Sequence, residues 1–334
     1  MSADIDSEFS AYLSGEQPSS PEVFEQMWQS FTNEHGANSP NNLKPVADRK
    51  KAFAKTIERI IEHNSKPSST YKKGINKFSD MTHEEFADYF HLDDISEEQH
   101  CSATEGRQSI KKNVDEGMMP RAWDWRRHGG VSPVKNQGSC GSCWTFSAVG
   151  CLESAMMLKY GGFTSLSEQQ LVDCAGDYDN HGCMGGLPSH AFEYIHHTGG
   201  ISTETAYPYF AEDRPCTVDP ATFALTVKGG SFNITEGDET ELKHAVFEKG
   251  PVAIAFQVVS GFSDYKSGVY TSDVCKNSTD DVNHAVLAVG YGHQQGMDYW
   301  LVKNSWGADW GDEGYFKIQR GVNMCGVAVC NSFP

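Results

Sequence analysis

The sequence predicts an α+β protein with a helix-rich first lobe, a strand-rich second lobe and a cleft between them. Between about residues 120 and 232, apolar residues recur at helical intervals, whereas from about residue 233 they form short runs separated by turns. Four of these runs cover residues 252–256, 284–289, 299–302 and 315–318. We expect them to be strands of a barrel-like sheet that packs beside the helical lobe.

The first 118 residues have a different organisation, with two amphipathic helices after a polar lead. Residues 1–20 are polar and are expected to form a flexible lead. One helix is predicted for about 21–35 and a second for about 46–64, because apolar side chains repeat at helical intervals in both. The repeating residues are Phe24, Met27, Trp28 and Phe31 in the first helix and Val46, Phe53, Ile57, Ile60 and Ile61 in the second.

Composition and charge limit the possible partners. The chain has 334 residues, of which 38% are hydrophobic, and a formal net charge of −18. A chain of this size can bury a sizeable core in more than one unit. Its acidity argues against binding to nucleic acid or anionic membranes, which select basic surfaces, and no apolar run reaches the ~20 residues of a membrane-spanning helix. The expectation is a monomer without nucleic-acid partners or membrane insertion.

Ten cysteines indicate disulfide bonds and passage through the secretory pathway. Asn233-Ile-Thr235 and Asn277-Ser-Thr279 are glycosylation sequons that agree with this route. The first ten residues, however, lack the charged and apolar regions of a signal peptide. We expect a protein of the lysosome or vacuole, or a secreted one, whose targeting signal is not visible in this chain.

The segment from Gln137 to Trp144, which reads QGSCGSCW, carries the most specific chemistry. The residues at helical spacing in and after it are Trp144, Ala148, Leu152, Ala155 and Met156. Gly161 marks the expected end of this helix. Because the helical spacing begins at Trp144, Cys143 is expected at the helix N-terminus, where unpaired backbone N–H groups favour a thiolate. Cys140 and Cys143 alone leave three interpretations open, namely a redox pair, half of a zinc site, or a catalytic Cys143 beside a structural disulfide.

Three motifs together resemble those of the papain family of cysteine proteases. They are Cys140-Gly-Ser-Cys143-Trp144, Asn283-His284-Ala285-Val286 and Lys303-Asn304-Ser305-Trp306-Gly307. The zinc interpretation lacks a second pair of cysteines nearby, and the redox interpretation lacks a βαβ pattern. The resemblance implies a papain-like two-subdomain fold over residues 119–334, with a helical left lobe at about 120–232 and a β-barrel-like right lobe at about 233–334. It implies no cofactor and no metal ion.

The resemblance also assigns roles to individual residues. It makes Cys143 and His284 a thiolate–imidazolium pair, with Asn304 orienting the imidazole and Trp306 shielding that contact from water. Gln137 would donate a hydrogen bond to the oxyanion. The residues that would line the substrate site are Gly185, Gly186, Leu187, Pro188, Ala255, Val282 and Ala285. The substrates would be peptides and proteins, and cystatin-type proteins would be inhibitors.

Two further motifs resemble the inhibitory prodomain of cathepsins in this family. Positions of an interrupted helical motif are matched by Arg49, Phe53, Ile60 and Asn64. Pro45 and Thr56, however, stand where Glu and Asn are usual. All four positions of a second motif are matched by Gly74, Asn76, Phe78 and Asp80. The resemblance implies a helical N-terminal prodomain at residues 21–118 that lies through the active-site cleft and inhibits its own enzyme.

The stretch Glu97-Glu-Gln-His-Cys101-Ser-Ala-Thr104 resembles the mini-chain of the cathepsin H group of this family. In that group the octapeptide stays attached through a disulfide, and its terminal carboxylate, here on Thr104, attracts the α-amino group of the substrate. The resemblance thus implies an aminopeptidase. The disulfides that it implies are Cys140–Cys183, Cys174–Cys216, Cys275–Cys325 and Cys101–Cys330. Cys151 would then be a buried free thiol.

Three alternatives remain at this point. The nearest is a cathepsin-type endopeptidase that does not retain the mini-chain. A non-catalytic papain-fold protein is more distant, because Cys143 is intact. A metal-binding protein is the last of the three.

Overall fold

The computed structural model describes residues 5–18, 20–37, 39–92, 101 and 115–334. The α-helices in this part of the chain are α1 (Ile5–Glu8), α2 (Ser10–Leu13), α3 (Pro21–Glu34), α4 (Val46–Asn64), α5 (His83–Phe90), α6 (Cys143–Tyr160), α7 (Glu168–Cys174), α8 (Pro188–Thr198) and α9 (Glu239–Glu248). Its β-strands are β1 (Tyr71–Lys73), β2 (Trp123–Asp124), β3 (Ile201–Ser202), β4 (Phe223–Leu225), β5 (Phe232–Asn233), β6 (Val252–Phe256), β7 (Tyr265–Tyr270), β8 (His284–Gln294), β9 (Met297–Lys303), β10 (Tyr315–Gln319) and β11 (Ser332–Phe333). Within these residues, no helix combines the length and apolarity needed to cross a membrane.

The second lobe is organised around one large sheet, in which only the β7–β10 pair is parallel among the described strands. The strand order is β1-β7-β10-β9-β8-β6-β11-β5, and β2 also pairs with β8. The four apolar runs predicted as strands lie within β6, β8, β9 and β10. Gln295 and Gly296 connect β8 to β9 with positive φ angles, as a two-residue hairpin turn requires. The predicted α+β architecture is confirmed.

The first lobe is built around α6, which packs between β8 and the helices α7 and α8. Ser147 on α6 donates a hydrogen bond to the carbonyl of Val286 on β8 at 2.7 Å, and a Cβ atom at Gly150 would lie only 3.1 Å from Leu287. The first three turns of α6 are therefore buried on nearly all sides. Ala155 shares the helical spacing of Trp144, Ala148 and Leu152 but is exposed, because the last turns of α6 are largely uncovered.

Helices α3 and α4 form as their apolar periodicity predicts. Their shared core contains Met27, Trp28, Phe31, Phe53, Ile57 and Ile60. Beside this core, the fully buried carboxylate of Asp80 accepts hydrogen bonds from the Arg49 guanidinium and the Ser39 hydroxyl, both at 2.7 Å. The Arg49–Asp80 ion pair thus ties α4 to the segment that follows β1.

The flexible lead predicted for residues 1–20 is not what the structure shows for residues 5–18. Ile5, Phe9 and Leu13 repeat every four residues and are buried against the α3–α4 core. Asp6 accepts a hydrogen bond from the backbone N–H of Ile75 at 2.8 Å. The prediction failed because it used the overall polarity of residues 1–20. That polarity conceals three apolar residues that lie on the same helical face.

The N-terminal domain, which is the described part of the chain before residue 119, docks on the sheet of the second lobe through a strand and several ion pairs. Strand β1 pairs antiparallel with β7 and so extends the sheet. The Arg59 guanidinium binds both carboxylate oxygens of Asp264, at 2.5 and 3.0 Å, and Lys77 lies 2.8 Å from Asp309. These contacts hold the N-terminal domain against the lobe that carries His284.

Replacing Asp80 by asparagine is expected to lower the free energy of unfolding of the N-terminal domain by about 3–5 kcal/mol. The substitution leaves the buried charge of Arg49 without its carboxylate. Thermal unfolding of the whole chain measures the effect. Glu62→Gln, which removes an exposed ion pair with Lys66, is the control and should leave the unfolding midpoint nearly unchanged. Equal midpoints for the two variants would contradict this role of Asp80.

Candidate active site

Helix α6 begins at Cys143, and the loop before it is tightly held. A Cβ atom at Gly141 would lie 2.3 Å from the carbonyl oxygen of Cys183, so no side chain fits there. Cys140 and Cys183 are joined by a disulfide with their Cα atoms 4.6 Å apart. The loop therefore fixes the Cys143 thiol at the positive end of the helix dipole.

His284 is oriented by two neighbours at the start of β8. Its Nε2 atom lies 2.8 Å from Oδ1 of Asn304, and its ring stacks on Trp306 with centroids 4.8 Å apart. The backbone N–H of Ser305 donates to the same Asn304 oxygen at 2.8 Å, which fixes the orientation of that amide. Because an amide oxygen only accepts, Nε2 carries the proton and Nδ1 keeps its lone pair. Asn304 thus selects the tautomer in which Nδ1 is a base.

Cys143 and His284 come from different lobes and border the same cavity. The Sγ atom of Cys143 accepts a hydrogen bond from the backbone N–H of Ala285, the residue after His284, at 3.4 Å. Nδ1 of His284 is buried and has no hydrogen-bond partner among the described residues. The cleft between the lobes therefore holds a thiol together with an imidazole nitrogen that is available as a base.

Burial determines the charge of both groups in this structure. It raises the pKa of the Cys143 thiol to about 11, against smaller opposing effects of backbone N–H groups. It also lowers the pKa of His284 to about 4, although the hydrogen bond with Asn304 acts in the opposite direction. Each shift favours the uncharged form of its group, the thiol of Cys143 and the neutral imidazole of His284. The thiolate–imidazolium pair expected from the sequence stays a prediction for the enzyme whose cleft is open.

The side-chain amide of Gln137 is fully buried and is not part of the cavity wall. Its Nε2 donates to the carbonyl of Cys140 at 2.9 Å, and its Oε1 accepts from the Ser305 hydroxyl at 2.6 Å. One N–H of the amide remains after these bonds. Ser305 was missed in the sequence, although it directly follows Asn304, and that position is the signal that could have found it.

The seven residues expected to line the substrate pocket border the cavity that contains Cys143, whereas Trp306 is not part of its wall. They are Gly185, Gly186, Leu187, Pro188, Ala255, Val282 and Ala285. The two glycines are required for internal reasons as well: a Cβ atom at Gly186 would lie 2.8 Å from the Trp144 indole, and Gly185 has a φ of 122°. Residues of the same wall that the sequence did not reveal are Gly141, Ser189, Asn283, Cys330 and Ser332.

The N-terminal domain closes this cavity from one side. Phe90 and His91 border it together with Cys143. Phe86 and Phe90, both on α5, pack on Trp306 with ring centroids 5.2 and 5.0 Å away. The aromatic cluster therefore separates the His284–Asn304 contact from solvent. No motif marked Phe86 or Phe90 in the sequence, because contacts between distant segments leave no local pattern.

Two family models match this chain. Residues 119–334 match the papain family cysteine protease model, and residues 28–86 match the cathepsin propeptide inhibitor domain. The chain belongs to the papain family of cysteine proteases. It is the zymogen of a cysteine protease, in which the N-terminal domain is an inhibitory prodomain and residues from 119 onward form the peptidase domain.

Similar proteins include other zymogens of this family. The chain is 50% identical to pro-cathepsin H of Mus musculus over 287 residues, which is 86% of this chain and 84% of that protein. It is also 50% identical to the thiol protease aleurain of Arabidopsis thaliana over 304 residues, covering 91% and 82% of the two chains. Among solved structures, the digestive procathepsin L2 proteinase of Tenebrio molitor larval midgut superimposes with a TM-score of 0.83 at 42% identity, covering 93% and 99%.

The disulfides of this cysteine protease join the pairs that the resemblance implies. They are Cys101–Cys330, Cys140–Cys183, Cys174–Cys216 and Cys275–Cys325. Among the described residues, Cys143 and Cys151 are free, and the buried Cys151 thiol donates to the Pro251 carbonyl at 3.0 Å. Cys101 is the one described residue of the stretch 97–104, so Thr104 lies outside the described part of the chain.

The two sequon asparagines of the peptidase domain differ in exposure. Asn277 is exposed in the loop after Cys275. Asn233 is half-buried in β5, where it pairs with Ser332 of β11. Asn277 is therefore the more accessible of the two for a glycan.

Proposed function

We propose that this protease hydrolyses peptide bonds by attack of Cys143, with His284 as the acid–base group. When the prodomain leaves, water enters the cavity, and the thiol proton moves to Nδ1 of His284. The thiolate attacks the substrate carbonyl carbon, which forms a C–S bond and an oxyanion. His284 returns the proton to the leaving amine as the C–N bond breaks. Water, deprotonated by His284, then attacks the thioester and releases the acid product and the thiol.

One observation carries this proposal. The Nδ1 atom of His284 is the available nitrogen, because Asn304 occupies Nε2, and it borders the cavity that holds the Cys143 thiol. Asn304 is therefore a positioning residue that maintains the basic tautomer. Trp306 keeps water from competing for that hydrogen bond through its stacking on the imidazole.

Gln137→Ala is expected to lower kcat about 100-fold with a smaller change in KM. The remaining amide N–H would contact the oxyanion beside the backbone N–H of Cys143, and such donors act mainly in the transition state. Steady-state kinetics on a fluorogenic peptide measures the effect. Because Gln137 also bonds to Ser305, the unfolding midpoint of the variant must be checked in parallel. An unchanged kcat in a folded variant would exclude Gln137 from the oxyanion site.

We further propose that the enzyme acts mainly as an aminopeptidase through a retained mini-chain at residues 97–104. Cys101 is joined to Cys330 and packs against the small apolar cluster that contains Ala255 and Val282 of the pocket wall. Thr104 lies three residues beyond Cys101 and can extend at most ~10 Å from it. A carboxylate created there by cleavage after Thr104 would attract the protonated amino group of a peptide substrate.

Cys101→Ser is expected to convert the aminopeptidase into an endopeptidase. Without its tether the mini-chain is lost on processing, so hydrolysis of substrates with a free amino group should fall and hydrolysis of amino-blocked peptides should rise. Cys151→Ser is the matched control, since that thiol forms no disulfide in the described structure. The same preference in wild type and Cys101→Ser would favour the alternative of an endopeptidase that discards the mini-chain.

Mass analysis provides an independent test of the tether. Intact mass of the active enzyme before and after reduction should reveal a peptide that contains Cys101 only after reduction. If the mass of the unreduced active enzyme does not include that peptide, the mini-chain is excluded, but the protease assignment is unaffected.

The same proposal includes the substrates, inhibitors and cellular location of the enzyme. Peptides and proteins are its substrates, and cystatin-type proteins are candidate inhibitors of its cleft. A lysosomal, vacuolar or secretory location agrees with the disulfides and with the exposed sequon at Asn277. We propose that the enzyme acts there as a monomer with a glycan on Asn277.

A further inference from the structure

A second pocket lies on the β lobe, at the end of the β8–β9 hairpin. His284 begins β8 and the hairpin turn ends it, so at about 3.3 Å per residue this pocket lies roughly 30 Å from the candidate catalytic pair. Three segments form its charged border, namely Arg121 before β2, Lys243 on α9 and Arg320 after β10. The pocket is therefore separate from the cleft and gathers residues that are distant in sequence.

Three cations meet at this pocket in a chain with far more acidic than basic residues. The sequence contains 45 Asp and Glu against 27 Lys and Arg, so most cations have carboxylates within reach. Arg320 pairs with Asp298 at 3.1 Å. Neither Arg121 nor Lys243 forms an ion pair within the described part of the chain. Among the described residues, no carboxylate oxygen lies within 4 Å of these two cations, although Arg121, after His293 and Arg320, helps to lower the pKa of Asp298.

The nearby carboxylates are already occupied. Asp298 accepts a hydrogen bond from Nδ1 of His293 at 2.7 Å in addition to its contact with Arg320. Glu239 accepts from the Trp300 indole at 2.8 Å and from the backbone N–H groups of Gly321 and Asn323 at 2.8 and 2.6 Å. The donors to Glu239 are uncharged, so it keeps its negative charge one helical turn from Lys243, but its oxygens are directed to other partners.

Aromatic rings hold the cations in position. The Tyr291 ring lies 5.3 Å from Nζ of Lys243 and 5.6 Å from the Arg320 guanidinium carbon, and the Trp300 ring lies 5.6 Å from the same carbon. Such cation–π contacts restrict both side chains. The Nε atom of Arg320 is buried and has no hydrogen-bond partner among the described residues. Two like charges that share one ring are stabilised when an anion lies between their donors.

We propose that this pocket binds a tetrahedral oxyanion, namely a sulfate or phosphate monoester group carried by a larger molecule. A guanidinium presents paired N–H donors that match two oxygens of such a group, and an ammonium adds a compact point charge. Arg121, Lys243 and Arg320 outnumber the acids Asp298 and Glu239, so the pocket is positively charged, and three cationic side chains match the three terminal oxygens of such a group better than the two of a carboxylate. The site is an exosite that attaches the enzyme to its ligand without occupying the cleft.

Titration of the full chain with sodium sulfate and with sodium phosphate tests the site. Calorimetry and thermal unfolding at constant ionic strength, with sodium chloride as the reference, should give saturable binding. Lys243→Gln should weaken that binding roughly tenfold or more, because a hydrogen bond to a charged group is lost. Lys228→Gln, at an exposed lysine elsewhere, is the matched control and should bind like wild type.

Two further measurements separate the possible outcomes. A sulfated and a phosphorylated monosaccharide, each titrated into wild type and Arg121→Gln, show whether the pocket prefers a sulfate or a phosphate ester. Tighter binding of either compound by wild type than by Arg121→Gln supports the site. Hydrolysis of a short peptide should be the same in Lys243→Gln and wild type, since the pocket is remote from His284. No saturable response above chloride, or equal binding by wild type and Lys243→Gln, would overturn the proposal.

Discussion

Cys143→Ser is expected to lower kcat/KM for a peptide substrate by about 10⁴-fold or more. A serine hydroxyl has nearly the same size as the thiol but is far less acidic, so His284 cannot convert it into an anion at neutral or acidic pH. Loss of a nucleophile in a comparable catalytic unit removes most of the chemical rate enhancement. Hydrolysis of a fluorogenic peptide by the processed enzyme measures the effect.

A matched substitution at the other free cysteine controls for folding and for loss of a thiol. Cys151 is buried, donates only to the Pro251 carbonyl and does not border the cavity. Cys151→Ser keeps a hydroxyl donor at that place and should retain most of the activity. If Cys143→Ser kept activity within tenfold of wild type, or if both variants lost it equally, Cys143 would not be the nucleophile.

Removal of the prodomain is expected to accelerate alkylation of Cys143 at pH 5 by about 1000-fold or more. In the zymogen, burial raises the pKa of the thiol to about 11, so only about one molecule in 10⁶ carries a thiolate at pH 5. In the exposed enzyme a Cys–His ion pair lowers the pKa to roughly 3–4, and the thiolate predominates. The thiolate fraction at pH 5 thus differs about 10⁶-fold between the two forms. A thiolate of low pKa is intrinsically less nucleophilic, which reduces the expected difference in rate to about 1000-fold.

The pH dependence of the same reaction has a defined sign. A thiol whose pKa is raised reacts faster as pH rises, so the zymogen rate should increase about tenfold per pH unit between pH 5 and 8. The processed enzyme is already ionised there and should react at a nearly constant rate. Iodoacetamide incorporation, measured before processing begins, distinguishes the two profiles. A flat profile for the intact zymogen would contradict the neutral thiol assigned to the covered site.

Local patterns account for the parts of the fold that the sequence predicted. Helix α4 runs from Val46 to Asn64 because its apolar residues repeat over five turns, and β6 forms from an uninterrupted apolar run. The candidate site was predictable for another reason. Cys143, His284 and Asn304 each stand inside a short motif, and their joint occurrence identified chemistry before any geometry was known.

Features that depend on packing between distant segments were not predictable in this way. Ile5 is buried only because α3 and α4 provide a surface for it, and Ala155 is exposed although its spacing suggests a core position. Phe90 covers the cavity from another domain. The lowered pKa of His284 follows from its burial and not from its motif. Single-sequence periodicity contains no information about which faces meet.

Covalent labelling of the enzyme before and after prodomain removal tests the central claim most directly. An epoxide that reacts with active-site thiols, followed by peptide mass analysis, locates the modified residue. The structure predicts modification of Cys143 in the processed enzyme, little modification in the intact zymogen, and none at Cys151. Equal labelling of both forms, or modification at a residue other than Cys143, would contradict a latent Cys143–His284 pair that the prodomain covers.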